Sequence, residues 1–182
     1  MNRRLVVLGL LAAPFAAPLR TWAQSIDWQT VVGPELAFRL EMPAPIEKTT
    51  AGEKEKGHAA PRLAWSAKRD GQMFDFDFVD YDDNWFSSRD SKVMSKELGR
   101  GEAEKAFPND KYKYVRDEPI TLQGWDGYAL DIEDPAGVLV MMRTYIVKDR
   151  LYRLLVTATA DAKTREAANR FLDSFKLAQA RP

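Results

Sequence analysis

The clearest pattern in this chain is an alternation of apolar and polar positions with a period of two residues. Phe74, Phe76 and Phe78 alternate with Asp75 and Asp77, and this period is typical of a strand with one buried face. Shorter runs with the same period cover residues 36–41, 63–67 and 128–133. The pattern therefore predicts several strands joined by short turns.

The first half of the chain is predicted to contain a hairpin and a short edge strand. Residues 28–32 and 36–41 form the hairpin, which ends at prolines because proline cannot donate a ladder hydrogen bond. Residues 46–50 are the edge strand, and the charged, aperiodic stretch 51–60 is predicted to be a surface loop.

In the second half, an irregular strand is predicted at residues 112–115 and 120–122, before the strand at 128–133. A long hairpin follows at residues 138–148 and 151–159, with its turn at Asp149 and Arg150. In residues 138–148 both parities are mostly apolar, which indicates a central strand covered on both faces.

Two helices are predicted. Asp90 caps the first, at residues 91–106. Gly99 and Gly101 weaken its middle, because glycine costs roughly 1 kcal/mol in a helix interior, so a break near Arg100 is the alternative to one continuous helix. Asp161 caps the second. Its inner face contains four apolar residues, Ala168, Phe171, Leu172 and Phe175.

The order of these elements is strands, helix, strands, helix, with short connections between strands. The fold class is therefore α+β: a mostly antiparallel β-sheet with helices packed on it as an α/β/α sandwich.

Three segments resemble the PsbP-like fold, which is known from a lumenal accessory protein of photosystem II and from many exported bacterial proteins. They are the proline-ended strand at 36–43, the pair of segments 143–145 and 150–152, and the terminal segment 170–176. The resemblance covers most of the chain after residue 23. It implies a binding or assembly factor, and it assigns no site residue.

The N-terminus has the pattern of a cleavable signal peptide. Arg3 and Arg4 precede an apolar run at residues 5–13 that prolines interrupt, so the run is too short to span a membrane. We expect cleavage after Ala23, which leaves a single domain at residues 24–182 in the periplasm. The general secretory route is favoured, and the two arginines also fit an incomplete twin-arginine signal.

Composition excludes several classes of protein. Residues 1–23 contain three arginines and no acid, so the remaining chain carries 24 basic and 27 acidic side chains, and a nucleic-acid-binding surface is not expected. There is no cysteine, so neither disulfides nor a lipid anchor on cysteine is expected. His58, the single histidine, fits an exposed loop residue better than a zinc ligand or a catalytic base.

Four aspartates, Asp75, Asp77, Asp80 and Asp82, are the candidate metal ligands. Calcium prefers several converging oxygen ligands, but the EF-hand spacing is absent. A solvated strand face that leads into an acidic loop is the favoured interpretation.

Arg143 and Arg153 stand within otherwise apolar strands and point to opposite faces of the predicted hairpin. A buried charge is normally paired, and the plausible partners are carboxylates on neighbouring strands: Asp131, Glu133, Asp75 and Asp77. The alternative is that these arginines bind an anionic ligand.

Aromatic residues beside the acidic loop are the candidate partner site: Tyr81, Trp85 and Phe86, together with Asp82. No catalytic motif stands out. We therefore expect a non-enzymatic, exported accessory protein that binds another envelope protein. The alternative is a carrier of a small ligand or of calcium, and a hydrolase ranks last.

Overall fold

The structure, a computed structural model, describes residues 27–51, 61–82, 85–86, 88–106, 112–159 and 161–179. The signal peptide predicted at residues 1–23 and the loop around His58 lie outside these ranges. In chain order the described elements are β1 (Trp28–Val32), β2 (Phe38–Pro43), β3 (Glu47–Ala51), β4 (Arg62–Arg69), β5 (Gln72–Asp80), α1 (Ser91–Ala106), β6 (Lys113–Leu122), β7 (Trp125–Glu133), β8 (Val138–Val147), β9 (Arg150–Thr159), α2 (Ala162–Ser174) and β10 (Lys176–Leu177).

The described strands form two sheets. The larger has seven strands in the order β3-β4-β5-β9-β8-β7-β6, and every neighbouring pair is antiparallel. The smaller has the order β1-β2-β10 and is also antiparallel. The prediction of a mostly antiparallel sheet with two helices is therefore confirmed.

The two helices pack on opposite faces of the seven-stranded sheet. Leu154 and Val156 of β9 belong to the same buried cluster as Phe171 of α2. Leu151, which has the other parity in β9, packs with Ile146 and with residues of α1. Because successive side chains of a strand point to opposite faces, α1 and α2 cover different sides of the central strands.

The α2 side contains most of the aromatic core. The ring of Phe38 in β2 lies 4.7 Å from that of Phe76 and 5.8 Å from that of Trp65, measured between centroids. The ring of Phe175, just after α2, lies 5.4 Å from that of Phe76. The small sheet thus shares this face with α2, so the α/β/α sandwich predicted from the sequence describes the layers only in part.

Helix α1 runs without interruption from Ser91 to Ala106, so the alternative of a break near Arg100 does not occur. Tertiary packing explains the difference: Met94 and Leu98 pack against the buried cluster of Ile146 and Leu151, and such packing outweighs intrinsic helix propensity. Neither helix in the described part of the chain is long and apolar enough to cross a membrane.

Strand β6 runs continuously through most of both segments of the predicted irregular strand. Its register against β7 shifts between Tyr114 and Arg116, which produces the irregularity seen in the sequence. It forms one edge of the seven-stranded sheet, where Pro119 is tolerated because an edge strand needs fewer ladder donors.

Two turns differ from the prediction. In the long hairpin Val147 pairs with Arg150, so the turn is at Lys148 and Asp149. The register moves by two residues, which leaves each side chain on its predicted face. In the first hairpin, a 3-10 turn occupies Pro34–Leu36, and the strand begins only at Phe38.

Candidate functional site

The predicted aromatic site is a compact patch at the end of β5. The rings of Tyr81 and Trp85 stack with centroids 5.8 Å apart and an interplanar angle of 26°. The ring of Phe86 meets Tyr81 edge-on at 4.7 Å. The structure therefore brings these three residues together, as the sequence suggested.

Backbone hydrogen bonds fix the position of this patch. The Tyr81 amide donates to the carbonyl of Asp149 over 2.8 Å, which ties the end of β5 to the β8–β9 turn. The Trp85 amide donates to the carbonyl of Asp82 over 3.0 Å, which ties Trp85 to the residue after Tyr81. Asp90 then starts α1 by accepting from the Lys92 amide at 2.9 Å.

Phe86 has a different role from the one predicted. Its side chain is 3% exposed and packs with Val79, Ile146 and Leu151. It cannot contact a partner directly, because it is part of the core beneath α1. We use the name aromatic patch for the half-buried pair Tyr81 and Trp85.

An arginine covers the outer ring of the aromatic patch. The guanidinium of Arg89 lies 4.4 Å from the centroid of the Trp85 ring, and it also donates to the Trp85 carbonyl. Cation–π contacts at exposed sites contribute about 0.5–1 kcal/mol. Trp85 is therefore held in one orientation while part of its surface faces solvent.

A cavity of about 760 Å³ opens beside the patch, and we call it the turn cavity. Its walls come from the β8–β9 turn, the end of β5, the start of β7 and the C-terminal residues. They include three aromatic residues, Tyr81, Trp125 and Tyr152. Burial raises the pKa of the Tyr152 phenol, so this group is uncharged at neutral pH.

Arg150, which lines the turn cavity, is paired with a carboxylate. Arg150 Nε and Nη2 donate to the two carboxylate oxygens of Asp80 over 2.5 and 2.8 Å. The guanidinium also lies 4.4 Å from the centroid of the Phe78 ring. The hydrogen bonds that Arg150 donates to Asp80 raise the pKa of Arg150, so it stays charged at every physiological pH.

Both arginines predicted as ion-pair members or anion ligands are paired with carboxylates. Arg143 Nη1 lies 2.5 Å from Asp131 Oδ1, on the neighbouring strand β7. Arg153 lies 3.0 Å from Asp77 and 3.2 Å from Glu102 of α1. These contacts confirm the ion-pair interpretation of both arginines.

The four predicted metal ligands do not converge. Asp77 contacts Arg153 and Asp80 contacts Arg150, while Asp75 lies half-buried on the sheet. Across the described residues, which do not include Asp83, no group of three His, Cys, Asp or Glu side chains could hold a metal ion.

The sequence matches no protein-family model and no curated protein. Solved structures do resemble this chain. PsbP (CyanoP) from the cyanobacterium Synechocystis sp. PCC 6803 aligns with a TM-score of 0.60 and 9% identity, covering 88% of this chain and 99% of that one. The chain has a PsbP-like fold. LpqN of Mycobacterium tuberculosis, described as involved in cell envelope biogenesis, aligns with a TM-score of 0.46 and 12% identity over 83% of this chain and 90% of its own.

Within this PsbP-like fold, the sequence did not reveal the residues at the β8–β9 turn. Lys148 and Asp149 line both the turn cavity and a smaller cavity of about 410 Å³. The available signal was a run of three charged residues, 148–150, between two apolar strands. Such a run is also what an ordinary hairpin turn requires, so it did not single out a site.

Proposed function

We propose that this chain is an exported, non-enzymatic accessory protein of the cell envelope, which acts by binding another protein through the aromatic patch. The observation that carries this proposal is the stacked pair Tyr81 and Trp85, which is only half-buried and lies beside an open cavity. Aromatic residues of this kind are enriched where proteins bind each other.

The geometry of the patch favours binding without rearrangement. The Trp85 ring stacks with the Tyr81 ring and also contacts the Arg89 guanidinium, and these two contacts fix its position. Binding usually costs about 0.5–1.5 kcal/mol for each flexible side chain that becomes ordered. A tryptophan that is already fixed avoids most of that cost.

The paired arginines support a structural rather than a catalytic use of the buried charges. Arg143 links β8 to β7, and Arg153 links β9 to β5 and α1. A general acid or base needs a proton that it can exchange near neutral pH. Guanidiniums paired with carboxylates are poorly suited to that role.

Export is the part of the proposal that rests on residues 1–23, which lie outside the described ranges. We propose that cleavage after Ala23 produces a periplasmic chain that starts at Gln24. Intact-mass measurement of the protein in the osmotic-shock fraction tests this. A mass that still includes residues 5–19 would contradict export through a cleaved signal.

Affinity capture from the periplasmic fraction tests the binding role. The protein and its Trp85→Ala and Asp82→Ala variants serve as baits, and Tyr114→Ala is the matched control, because Tyr114 is an exposed aromatic residue on the edge strand β6. A partner retained by the protein and by Tyr114→Ala, but lost with Trp85→Ala, supports the patch. Equal retention of the partner by all four baits would contradict binding through the aromatic patch.

A further inference from the structure

The turn cavity has an unbalanced set of charges at its wall. Glu35 and Asp149 both line it. Glu35 is exposed and forms no ion pair within the described residues, and Oδ1 of Asp149 is shielded from solvent yet accepts no hydrogen bond. Lys148 is the opposing cation, since Arg150 is already paired with Asp80. The cavity thus has a surplus of negative charge and a carboxylate oxygen that needs a donor.

Backbone conformation places two of these charged residues at the rim. Glu35 and Lys148 have φ angles of 53° and 56°, in the left-handed region that non-glycine residues rarely adopt. Each such residue costs about 1–2 kcal/mol in backbone energy. Non-glycine residues in this conformation cluster at ligand-binding sites more often than elsewhere, because the surrounding structure must compensate for them.

The aromatic walls complement the charge. Tyr81, Trp125 and Tyr152 line the same cavity, and a cation near an aromatic face is stabilised by the quadrupole of the ring. This protein already uses that contact nearby, where Arg89 covers the ring of Trp85 at 4.4 Å. A basic side chain in the turn cavity would lie beside these aromatic residues and near the carboxylates of Glu35 and Asp149.

We infer that the turn cavity binds a lysine or arginine side chain from an extended segment of the partner protein. This inference rests on the proposed binding function and adds the chemistry of the partner. The smaller cavity shares Trp125, Lys148 and Asp149 with the turn cavity, so the two meet at the β8–β9 turn. An extended segment can therefore continue across the turn toward Arg89, which lines the smaller cavity.

Peptide selection tests the inference. A displayed library of random octapeptides is selected for binding to the protein purified from the cells that express it. We expect the selected peptides to be enriched in lysine or arginine. Calorimetric titration of one selected peptide should show at least tenfold weaker binding when its basic residue is replaced by norleucine. The same loss is expected with Asp149→Asn or Glu35→Gln, while Glu47→Gln, an exposed carboxylate on β3, leaves the affinity unchanged.

Two results would overturn the inference: selected peptides without basic residues, or an affinity that neither Asp149→Asn nor Glu35→Gln reduces. Failure to select any peptide counts against it as well. Each variant is first compared with the protein by thermal unfolding, so that a folding defect in one leaves the other as the test. If the peptide experiment contradicts this inference while partner capture still depends on the aromatic patch, the proposed function stands.

Discussion

Arg143 and Asp131 form an ion pair inside the molecule, with Nη1 of the guanidinium 2.5 Å from Oδ1 of the carboxylate. Their side chains are only 8% and 10% exposed. Arg143 Nη1 also donates to the carbonyl of Met142 over 2.8 Å. The pair explains why a charged residue stands in the middle of an apolar central strand.

Breaking this pair is expected to destabilise the fold strongly. Arg143→Met leaves the Asp131 carboxylate buried without a partner, which costs about 3–5 kcal/mol. Adding Asp131→Leu should restore much of that loss, since neither charge then remains. Urea unfolding measures both. The exposed pair Arg116 and Glu118 is the control, and Arg116→Met should cost less than about 1 kcal/mol. An Arg143→Met protein as stable as the parent would contradict the account.

Asp75 is expected to lower stability at neutral pH. Burial, followed by repulsion from Asp77, raises the pKa of Asp75 above its ordinary value of 3.8. The folded state therefore favours the protonated form, and stability is lost as the pH rises through the folded pKa. Asp75→Asn should raise the thermal midpoint at pH 7, and the difference should vanish below pH 3.8. Asp27→Asn, at an exposed site, should leave the thermal midpoint unchanged both at pH 7 and at the lower pH. A lower midpoint for Asp75→Asn at pH 7 would refute the assigned shift.

Two glycine-to-alanine changes should have opposite effects. A Cβ at Gly127 would lie 2.4 Å from a Tyr145 ring carbon and 2.6 Å from the Thr144 carbonyl oxygen, so Gly127→Ala should cost about 1–3 kcal/mol. Gly101 in α1 has nothing within 4 Å, so Gly101→Ala should stabilise the protein by up to about 1 kcal/mol. Chemical denaturation measures the change in the free energy of unfolding for both variants. Equal changes would contradict the close contacts described around Gly127.

Phe86 and Trp85 are expected to separate stability from binding. Phe86→Ala removes a buried ring and should cost about 3–5 kcal/mol. Trp85→Ala removes a half-buried ring with one stacking contact, and should cost about 1 kcal/mol. Thermal unfolding of both variants gives the comparison. A larger loss for Trp85→Ala would mean that Trp85 is a core residue and not part of a binding surface.

The sequence predicted most strands because their alternation is regular. Phe74, Phe76 and Phe78 are all buried as expected, and the opposite orientations of Arg143 and Arg153 follow from parity alone. Turns were less predictable. The β8–β9 turn has Lys148 in a left-handed conformation that usually indicates glycine. The turn was therefore predicted one residue too late, at Asp149 and Arg150. The small sheet was missed because β10 contains only two residues, too few for any period to be visible.

The candidate site was predictable only in part. The acidic and aromatic residues 80–86 stand together in the chain, so Tyr81 and Trp85 could be singled out. The buried position of Phe86 depends on Ile146 and Leu151, which are distant in sequence. The turn cavity depends on segments from five parts of the chain, including Glu35 and residues 177–179. Tertiary structure alone brings these together.

Site-specific photo-crosslinking in cells tests the binding role of the aromatic patch most directly. A photoreactive phenylalanine derivative replaces Trp85 in one variant and Tyr114, exposed on β6, in the other. We expect one discrete crosslinked envelope protein from position 85 and none from position 114. No crosslink from position 85, or the same products from both positions, would contradict the account.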